Sequence, residues 1–202
     1  MRKSTRLVAA GLAALALAGA APATGASAAG HPVDRITTGG QSKVATASDP
    51  HLVHFQHLSI DQGLSPDRAR LVVRRIRELY TFWDTGDVRY LHRADSPAFV
   101  DRTLPTGRPQ GLRGIEQASR TFRAAVPDLR CTVADVLIAG DRVSVRQVYS
   151  GHFTGTYNGA RGHGQGVRFN AFDIQQVGAR QIVGDWHLED NMTFSKQIGA
   201  LS

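Results

Sequence analysis

Apolar residues recur with a helical period in the first half of the predicted domain. Ser65 is a preferred helix-capping residue, and the apolar positions that follow it every three or four residues up to Trp83 predict one amphipathic helix. A shorter helix is predicted over residues 88–94. A third is predicted over residues 115–125, because Pro127 cannot continue it. The spacing therefore indicates three helices that each bury one face.

From residue 131 the apolar period changes to two, which is typical of strands with one buried face. Segments 131–139 and 142–150 are predicted to form a hairpin around Gly140-Asp141. Segments 167–177 and 181–190 are predicted to form a second hairpin. Three helices followed by four antiparallel strands predict an α+β fold in which the helices cover one side of a curved sheet. Such a sheet leaves a cone with one open end.

The connection between the two hairpins, residues 151–166, is rich in glycine. A glycine-rich loop that cradles phosphate is followed by a helix, whereas this one is followed by a strand. We therefore interpret the connection as a mobile hairpin tip at the mouth of the cone.

The N-terminal segment has the three parts of a secretory signal peptide. Three basic residues precede an apolar run over residues 7–21, and small residues suited to cleavage end at Ala28. We therefore predict a signal peptide over residues 1–28, a flexible leader over 29–64 and one domain over 65–202. The protein is expected to be secreted, with no membrane association after cleavage.

Charge and cysteine content narrow the classes of partner. The signal contains three of the 24 lysines and arginines and none of the 17 acids, so the mature chain carries a formal charge of +4. The basic residues neither cluster on one face nor accompany a known nucleic-acid-binding motif, so no nucleic-acid partner is expected. Cys131 is the only cysteine, and the fold must therefore hold without an internal disulfide.

Three histidines in the predicted leader, His51, His54 and His57, are spaced so that a helical turn could gather them around a divalent metal ion. No Asp, Glu or Cys at fixed spacing completes a ligand set, and a solvated polar leader explains the same residues. We favour the second interpretation and expect neither a metal site nor a cofactor.

A series of short segments resembles one family when the segments are taken in order. They are Phe82–Asp87, Phe99–Asp101, Gly111–Gly114, Val126–Leu129, Gly140–Val143, Gly151–Gly155, Gly184–Trp186 and Lys196–Gly199. Together they resemble the SnoaL-like polyketide cyclases, also called ester cyclases, of the nuclear transport factor 2-like superfamily. The resemblance implies a cone in which three helices pack against a curved antiparallel sheet around a pocket for a hydrophobic, oxygenated small molecule.

In the catalytic members of that family, an acidic residue near the end of the last strand is the acid and base of an intramolecular aldol closure that uses no cofactor. Asp190, four residues after Trp186, occupies this position by resemblance. An unbroken strand would place Trp186, Leu188 and Asp190 on one face and His187 on the other. The residues alone favour an Asp190 that ends the strand in solvent, whereas the resemblance implies that Asp190 faces the pocket, in which case His187 faces away.

The other predicted pocket residues are chosen from the same segments and strands. Members of the family often carry histidine at three places where this chain has Arg102, Phe153 and Gln175 or its neighbour. Arg102 is predicted to assist as an electrophile towards an oxyanion. The predicted wall of the pocket comprises Trp83, Phe99, Tyr149, Phe153, Phe169, Gln175 and Trp186.

Three functions of different classes follow. The first is a secreted, cofactor-free cyclase, or a related isomerase or hydrolase, with Asp190 as its acid and base. The second is a non-catalytic extracellular module that binds a hydrophobic small molecule, which the replaced histidines and the export signal both favour. The third is a structural or interaction protein whose cone packs on a partner. Members of the superfamily often pair through the sheet, so a homodimer is a further expectation.

Overall fold

A computed structural model describes residues 49–201. The predicted signal peptide and the leader up to residue 48 lie outside these residues. The helices are α1 (Pro66–Thr85), α2 (Val88–Ala94), α3 (Leu112–Ala125) and α4 (Asn191–Gln197). The strands are β1 (Phe55–Ile60), β2 (Asp95–Asp101), β3 (Arg130–Ala139), β4 (Arg142–Phe153), β5 (Thr156–Tyr157), β6 (Ala160–Arg161), β7 (Gln165–Val177) and β8 (Ile182–Glu189).

Helix α1 forms as its sequence predicts. The Ser65 side chain accepts a hydrogen bond from the Arg68 backbone N–H at the start of the helix. Gly86 ends it with φ of 78°, a left-handed conformation that glycine adopts without strain. The apolar face of the helix, which includes Ile76 and Tyr80, is buried in the core. This face fixes the side of α1 that meets the sheet.

The α+β architecture is confirmed. Six strands form one curved sheet in the order β1-β3-β4-β7-β8-β2, with antiparallel pairing between β3, β4, β7 and β8. The two edge strands, β1 and β2, pair in parallel with β3 and β8, which the prediction of a wholly antiparallel sheet did not include. The large apolar side chains of the core lie between one face of this sheet and the helices.

Part of the predicted leader is an ordered strand. Residues Phe55–Ile60 form β1, and Leu52 just before it is buried. Arg77 of α1 fixes this segment, because its guanidinium donates hydrogen bonds to the carbonyls of Leu52 and Val53 at 3.0 and 2.8 Å. The folded domain therefore begins before residue 65.

The glycine-rich connection contains the short hairpin β5–β6 rather than a bare loop. The backbone N–H groups of Thr154 and Gly155 both donate to the carbonyl of Ala125 at the end of α3. A Cβ atom on Gly155 would lie 2.0 Å from the Ala124 carbonyl oxygen, so only glycine allows this approach. The connection is thereby attached to α3.

Helix α4 was not predicted, because residues 181–190 were expected to form one strand to the end of the second hairpin. The strand ends at Glu189, and α4 folds back over the sheet so that Phe194 enters the core against Phe169 and Phe122. Within residues 49–201, no helix is long and apolar enough to cross a membrane.

Candidate functional site

A cavity of about 60 Å³ lies between the helices and the inner face of the sheet. Its apolar wall is made by Leu79, Trp83, Phe99, Ile115, Ala118, Phe122, Leu129, Tyr149 and Phe169. Its polar wall is made by Asp95, Asp101, Arg108, Gln147, Asp173, Gln175, Asp185, His187 and Glu189. The cavity therefore has an aromatic side suited to a flat apolar molecule and an unusually acidic side.

The aromatic side is a continuous set of ring contacts. Tyr149 and Phe169 stack with ring centroids 5.4 Å apart, and Trp83 meets Tyr149 edge-on at 6.2 Å. Phe122 of α3 also stacks on Phe169, with ring centroids 6.0 Å apart. Such pairs hold their rings in fixed orientations, so this side of the cavity is preorganised.

The alternation of β8 determines which of its residues reach the cavity. Asp185, His187 and Glu189 point inward and line it. Trp186 and Leu188 point to the outer face of the sheet, where Leu188 is 72% exposed. The alternation was predicted, but the assignment of the inner face was wrong. The predicted outward position of His187 is wrong for the same reason.

Asp190 is not a pocket residue. It is exposed, and its carboxylate caps α4 by accepting a hydrogen bond from the Thr193 backbone N–H at 2.9 Å. That hydrogen bond lowers the pKa of Asp190 below its ordinary value. Asp190 therefore stays ionised in solvent, which does not suit it to acid/base work inside the cavity.

His187 is the centre of a charged cluster with Asp101, Glu189 and Arg108. Its Nδ1 lies 2.8 Å from Glu189 Oε1, and its Nε2 lies 3.2 Å from Asp101 Oδ2. Arg108 also pairs with Asp101. The exposed fraction of the side chains rises from 4% for Asp101 through 9% for His187 and 17% for Arg108 to 29% for Glu189. Among these four residues, Glu189 is the nearest to solvent.

The cluster holds His187 in its charged form. Burial opposes the imidazolium, but the hydrogen bond to Glu189 and the charges of Glu189, Asp185 and Asp101 outweigh burial and raise the pKa of His187 to about 9. Both ring nitrogens then donate, Nδ1 to Glu189 and Nε2 to Asp101. Arg108 Nη2, 2.9 Å from Nε2, is then a neighbouring cation rather than a hydrogen-bond donor to the ring.

The segment that follows β2 positions Asp101, the acidic partner of His187. Asp101 is the last residue of β2, and the Gln110 side chain bonds both its backbone N–H and its carbonyl at 2.7 and 2.8 Å. Burial acts to raise the pKa of Asp101, but His187, Arg108 and the N–H of Thr103 together lower it. Asp101 is therefore a permanent anion that orients the two cations beside it.

A second acidic network lies deeper, around Asp173. Its Oδ2 accepts hydrogen bonds from the Tyr80 hydroxyl at 2.6 Å and from the Gln147 amide at 2.7 Å. Burial raises the pKa of Asp173 to about 6, although the Tyr80 hydrogen bond acts to lower it. The carbonyl oxygen of the Gln147 side chain is buried and has no hydrogen-bond partner in the described structure.

Two further carboxyls of the wall have no such partners. Burial raises the pKa of Asp185 to about 7, and Asp173 and Asp101 raise it further while His187 lowers it. Burial, followed by the charge of Asp185, raises the pKa of Asp95 well above its ordinary value. Both oxygens of Asp95 and Oδ1 of Asp185 are buried without a hydrogen bond from any described residue. The cavity thus contains permanent charges beside a carboxyl, Asp185, that exchanges protons near neutral pH.

The structure brings together only some of the residues predicted for the pocket. Five predicted wall residues line the cavity, namely Trp83, Phe99, Tyr149, Phe169 and Gln175. Phe153 is fully buried in the core but is not part of the wall. Arg102 lies on the outer face, where it stacks on Trp186 with its guanidinium 4.9 Å from the ring centroid. Arg102 and Trp186 were thus placed in the pocket wrongly.

Sequence reasoning missed the functional face of β8. Asp185, His187 and Glu189 alternate with apolar residues, and such alternation normally places the apolar face inside. The missed signal is that three titratable residues in a row share one strand face. Asp95 and Asp101 carry a similar signal, since they begin and end a short strand that also supplies Phe99 to the cavity.

The structure does not gather the three histidines of the predicted leader into one group. His57 lies on β1 with its Nδ1 3.3 Å from Asp135, and all three histidines are exposed. Across residues 49–201, no group of three or more His, Cys, Asp or Glu side chains is arranged to hold a metal ion.

Comparisons with known proteins agree with this geometry. The sequence model of the SnoaL-like polyketide cyclase family matches residues 72–198. That range includes every residue of the polar wall and all but a few of the residues of the fold's core. No curated protein sequence matches the chain.

Solved structures resemble the chain over most of its folded part. A Bacillus cereus protein, provisionally named a polyketide cyclase, is 36% identical, and the match covers 75% of this chain and 95% of that one with a TM-score of 0.68. IdmH of Streptomyces antibioticus, provisionally given the same name, is 25% identical over 63% of this chain and 98% of its own, with a TM-score of 0.56. TsrD of Streptomyces laurentii is 22% identical, covers 71% of this chain and 100% of its own, and shares the fold with a TM-score of 0.60.

Proposed function

This chain belongs to the SnoaL-like polyketide cyclase family, and we propose that it closes a ring in a small carbonyl compound by an intramolecular aldol reaction. The observation that carries the proposal is the set of titratable groups on one wall of the cavity. Asp185, with a pKa of about 7, can take up a proton near neutral pH, while His187, with a pKa of about 9, keeps its proton. Groups whose environments separate their pKa values in this way suit the base and the electrophile of one reaction.

The proposed reaction begins at a carbon next to a carbonyl group. The Asp185 carboxylate removes a proton from that carbon, and the electron pair moves to the carbonyl oxygen. His187 and Arg108 stabilise the enolate oxygen through their positive charges. The enolate carbon then forms a bond with a second carbonyl carbon of the same molecule. The product is an isomer of the substrate, so the reaction needs no external oxidant or reductant.

The size of the cavity favours a small substrate or the end of a larger one. Its volume of about 60 Å³ is well below the roughly 300–1,000 Å³ of pockets that enclose drug-sized ligands. The aromatic side supplies a flat apolar surface for the carbon skeleton. A large aromatic polyketide would therefore require side chains at the entrance to move.

A small diketone gives a direct test. Heptane-2,6-dione can close to a six-membered hydroxyketone, and the reaction can be followed by NMR. We expect the protein to accelerate this closure above the rate in buffer and Asp185→Asn to lose the acceleration. Asp141→Asn, which changes an exposed carboxyl of the β3–β4 turn, is the matched control and should keep it. A wild-type rate equal to that of buffer would contradict the proposed reaction.

A ligand-binding module remains the alternative, and the preorganised aromatic side of the cavity favours it. It predicts that the diketone, or the cyclic product, binds to the protein without turnover. Saturable binding measured by ligand-observed NMR, with no closure in the same sample, would support the module and contradict the enzyme.

We also propose that the mature protein is secreted through its N-terminal signal and pairs through the outer face of its sheet. Phe172, Ile174 and Leu188 are exposed on that face, next to Trp186. Two copies placed face to face would bury these side chains against each other, which is the usual reason for an exposed apolar patch on a sheet.

A further inference from the structure

Asp95 is a buried carboxyl whose side chain makes no hydrogen bond or ion pair that would stabilise the fold within residues 49–201. Its side chain is fully buried, yet neither oxygen receives a hydrogen bond from residues 49–201, and no cation forms an ion pair with it. A buried carboxyl without partners costs stability, because it loses its hydration and gains nothing in return. By contrast, the buried Glu78 is held by Arg74 and Arg75. What Asp95 does have is a place on the cavity wall.

The alternation of β2 is consistent with this place. Asp95, Phe99 and Asp101 lie an even number of residues apart on this one strand, a spacing that puts side chains on the same face, and all three reach the cavity. The pairing of β2 with β8 is irregular beside Asp95, since Asp95 pairs with Ile182 and Val100 pairs with Gly184, so that five steps along β2 correspond to two along β8.

We infer that Asp95 is the acid of the proposed ring closure and donates a proton to the carbonyl oxygen that becomes the product hydroxyl. The inference rests on the proposed function, because it supplies the second proton transfer that the aldol step requires. When the enolate carbon bonds to the second carbonyl carbon, the electron pair of that carbonyl moves to its oxygen. The Asp95 carboxylic acid gives its proton to this oxygen and becomes a carboxylate.

The proton balance closes within the cavity. Asp185 ends the step protonated and Asp95 ends it ionised, so one proton must pass from Asp185 to Asp95 before the next turnover. Burial, followed by the charge of Asp185, raises the pKa of Asp95 well above its ordinary value, so the ionised Asp95 readily takes a proton back. The other charged groups on the wall are Asp101, Arg108, Asp173, His187 and Glu189. None of them is a buried carboxyl as free of partners as Asp95.

The assignment separates two reactions that can be measured on the same probe. Removal of the first proton from heptane-2,6-dione needs Asp185 and can be followed as deuterium incorporation in D₂O. Ring closure needs both carboxyls. We expect Asp95→Asn to keep deuterium incorporation within about threefold of wild type and to lose ring closure by at least a hundredfold, an effect typical of a missing general acid. Asp95→Glu, which keeps a protonatable group, should restore part of the closure.

A stability measurement accompanies the kinetics. The raised pKa of Asp95 means that folding favours its protonated form, so the contribution of this group to stability should fall as pH rises above about 4. Asp95→Asn cannot lose stability in this way, and its melting temperature should exceed that of the wild type by several degrees at pH 8. Asp141→Asn serves as the control and should show no such gain.

Each result affects one of the two claims. Equal ring closure by wild type and Asp95→Asn would overturn the role of Asp95 and leave the proposed function standing. No deuterium incorporation and no closure by the wild type would overturn the proposed function and the inference with it. Loss of both reactions in a folded Asp95→Asn would show that Asp95 acts before closure, which also contradicts the assignment.

Discussion

The two faces of strand β8 are reversed relative to an ordinary core strand, which turns its apolar side chains inward and its polar side chains outward. Its inner face presents Asp185, His187 and Glu189 to the cavity, while its outer face presents Trp186 and Leu188. Burying charged groups costs free energy, and an exposed apolar group does not gain the stabilisation that burial would give it. A strand that buries charged groups and exposes apolar ones depends on the packing of other strands for its stability. Both of its faces are then available for function.

The rest of the sheet shows where that stability comes from. On β4, Val143, Val145 and Tyr149 point inward with the apolar side chains of α1, while exposed Ser144 lies on the other face. Both strands alternate with period two. The two strands differ in the residue types that face the helices, because β8 turns three titratable residues inward whereas β4 turns mainly apolar residues inward.

The largest effect expected from this comparison is on the inner face. Asp185→Asn removes the proposed base while keeping the size of the side chain, and we expect kcat/KM for closure of heptane-2,6-dione to fall by about 10²–10⁴. The fold should survive, because the substitution removes a buried carboxyl rather than a packed apolar group. Circular dichroism checks the fold. A folded variant with wild-type activity would show that the Asp185 carboxylate of β8 is not the base.

A smaller effect is expected on the outer face. Leu188→Glu would bury an unpaired charge if two sheets pair, and we expect the dimer dissociation constant to rise at least about a hundredfold. Analytical ultracentrifugation measures it. Met192→Glu makes the same change on α4, where Met192 is also exposed, and should leave the association unchanged. A wild type that is monomeric at all concentrations would show that this face has another use.

The pH dependence of the proposed reaction should show both titrating groups of the inner face. The base must be ionised, so kcat/KM should rise about tenfold between pH 6 and pH 8 through the pKa of about 7 of Asp185. It should fall again as His187 loses its proton near pH 9. His187→Gln should lack the alkaline limb that this proton produces. A wild-type kcat/KM that does not change with pH would show that the titration of Asp185 and His187 does not control the rate.

The smallest effect is expected at the residue after the strand. Asp190→Ala removes the cap of α4 and should lower the melting temperature by a few degrees, whereas Asp190→Asn keeps a side chain that caps well. Both variants should close the ring at the wild-type rate, because Asp190 is exposed and outside the cavity wall. Thermal melts and the same NMR assay measure the two quantities.

Local signals predicted most of the fold. The Ser65 cap and Gly86 define α1, and the Gly140-Asp141 turn joins β3 to β4, because each depends on neighbouring residues alone. Strand β1 escaped prediction because most of its side chains are exposed, and its order comes from pairing with β3, more than 70 residues away in the chain. Helix α4 escaped because its capping residue, Asp190, was assigned to the end of the preceding strand.

The site was harder to predict, for a physical reason. Its aromatic wall obeys the rule that apolar residues lie inside, so Trp83, Tyr149 and Phe169 could be chosen from the sequence. Its polar wall breaks that rule. Asp185 and His187 lie inside at a cost to stability, and patterns of hydrophobicity predict only what favours folding. Asp95 shares a strand face with Phe99, but the rule that carboxyls lie outside excludes it from a predicted core.

Deuterium incorporation into heptane-2,6-dione tests the central claim most directly, because it reports proton removal without requiring ring closure. Wild type, Asp185→Asn and Asp190→Asn are compared by NMR in D₂O at one pH. We expect wild type and Asp190→Asn to exchange the protons next to the carbonyls at equal rates, and Asp185→Asn to fall to the rate in buffer. Exchange lost in Asp190→Asn and kept in Asp185→Asn would contradict this claim.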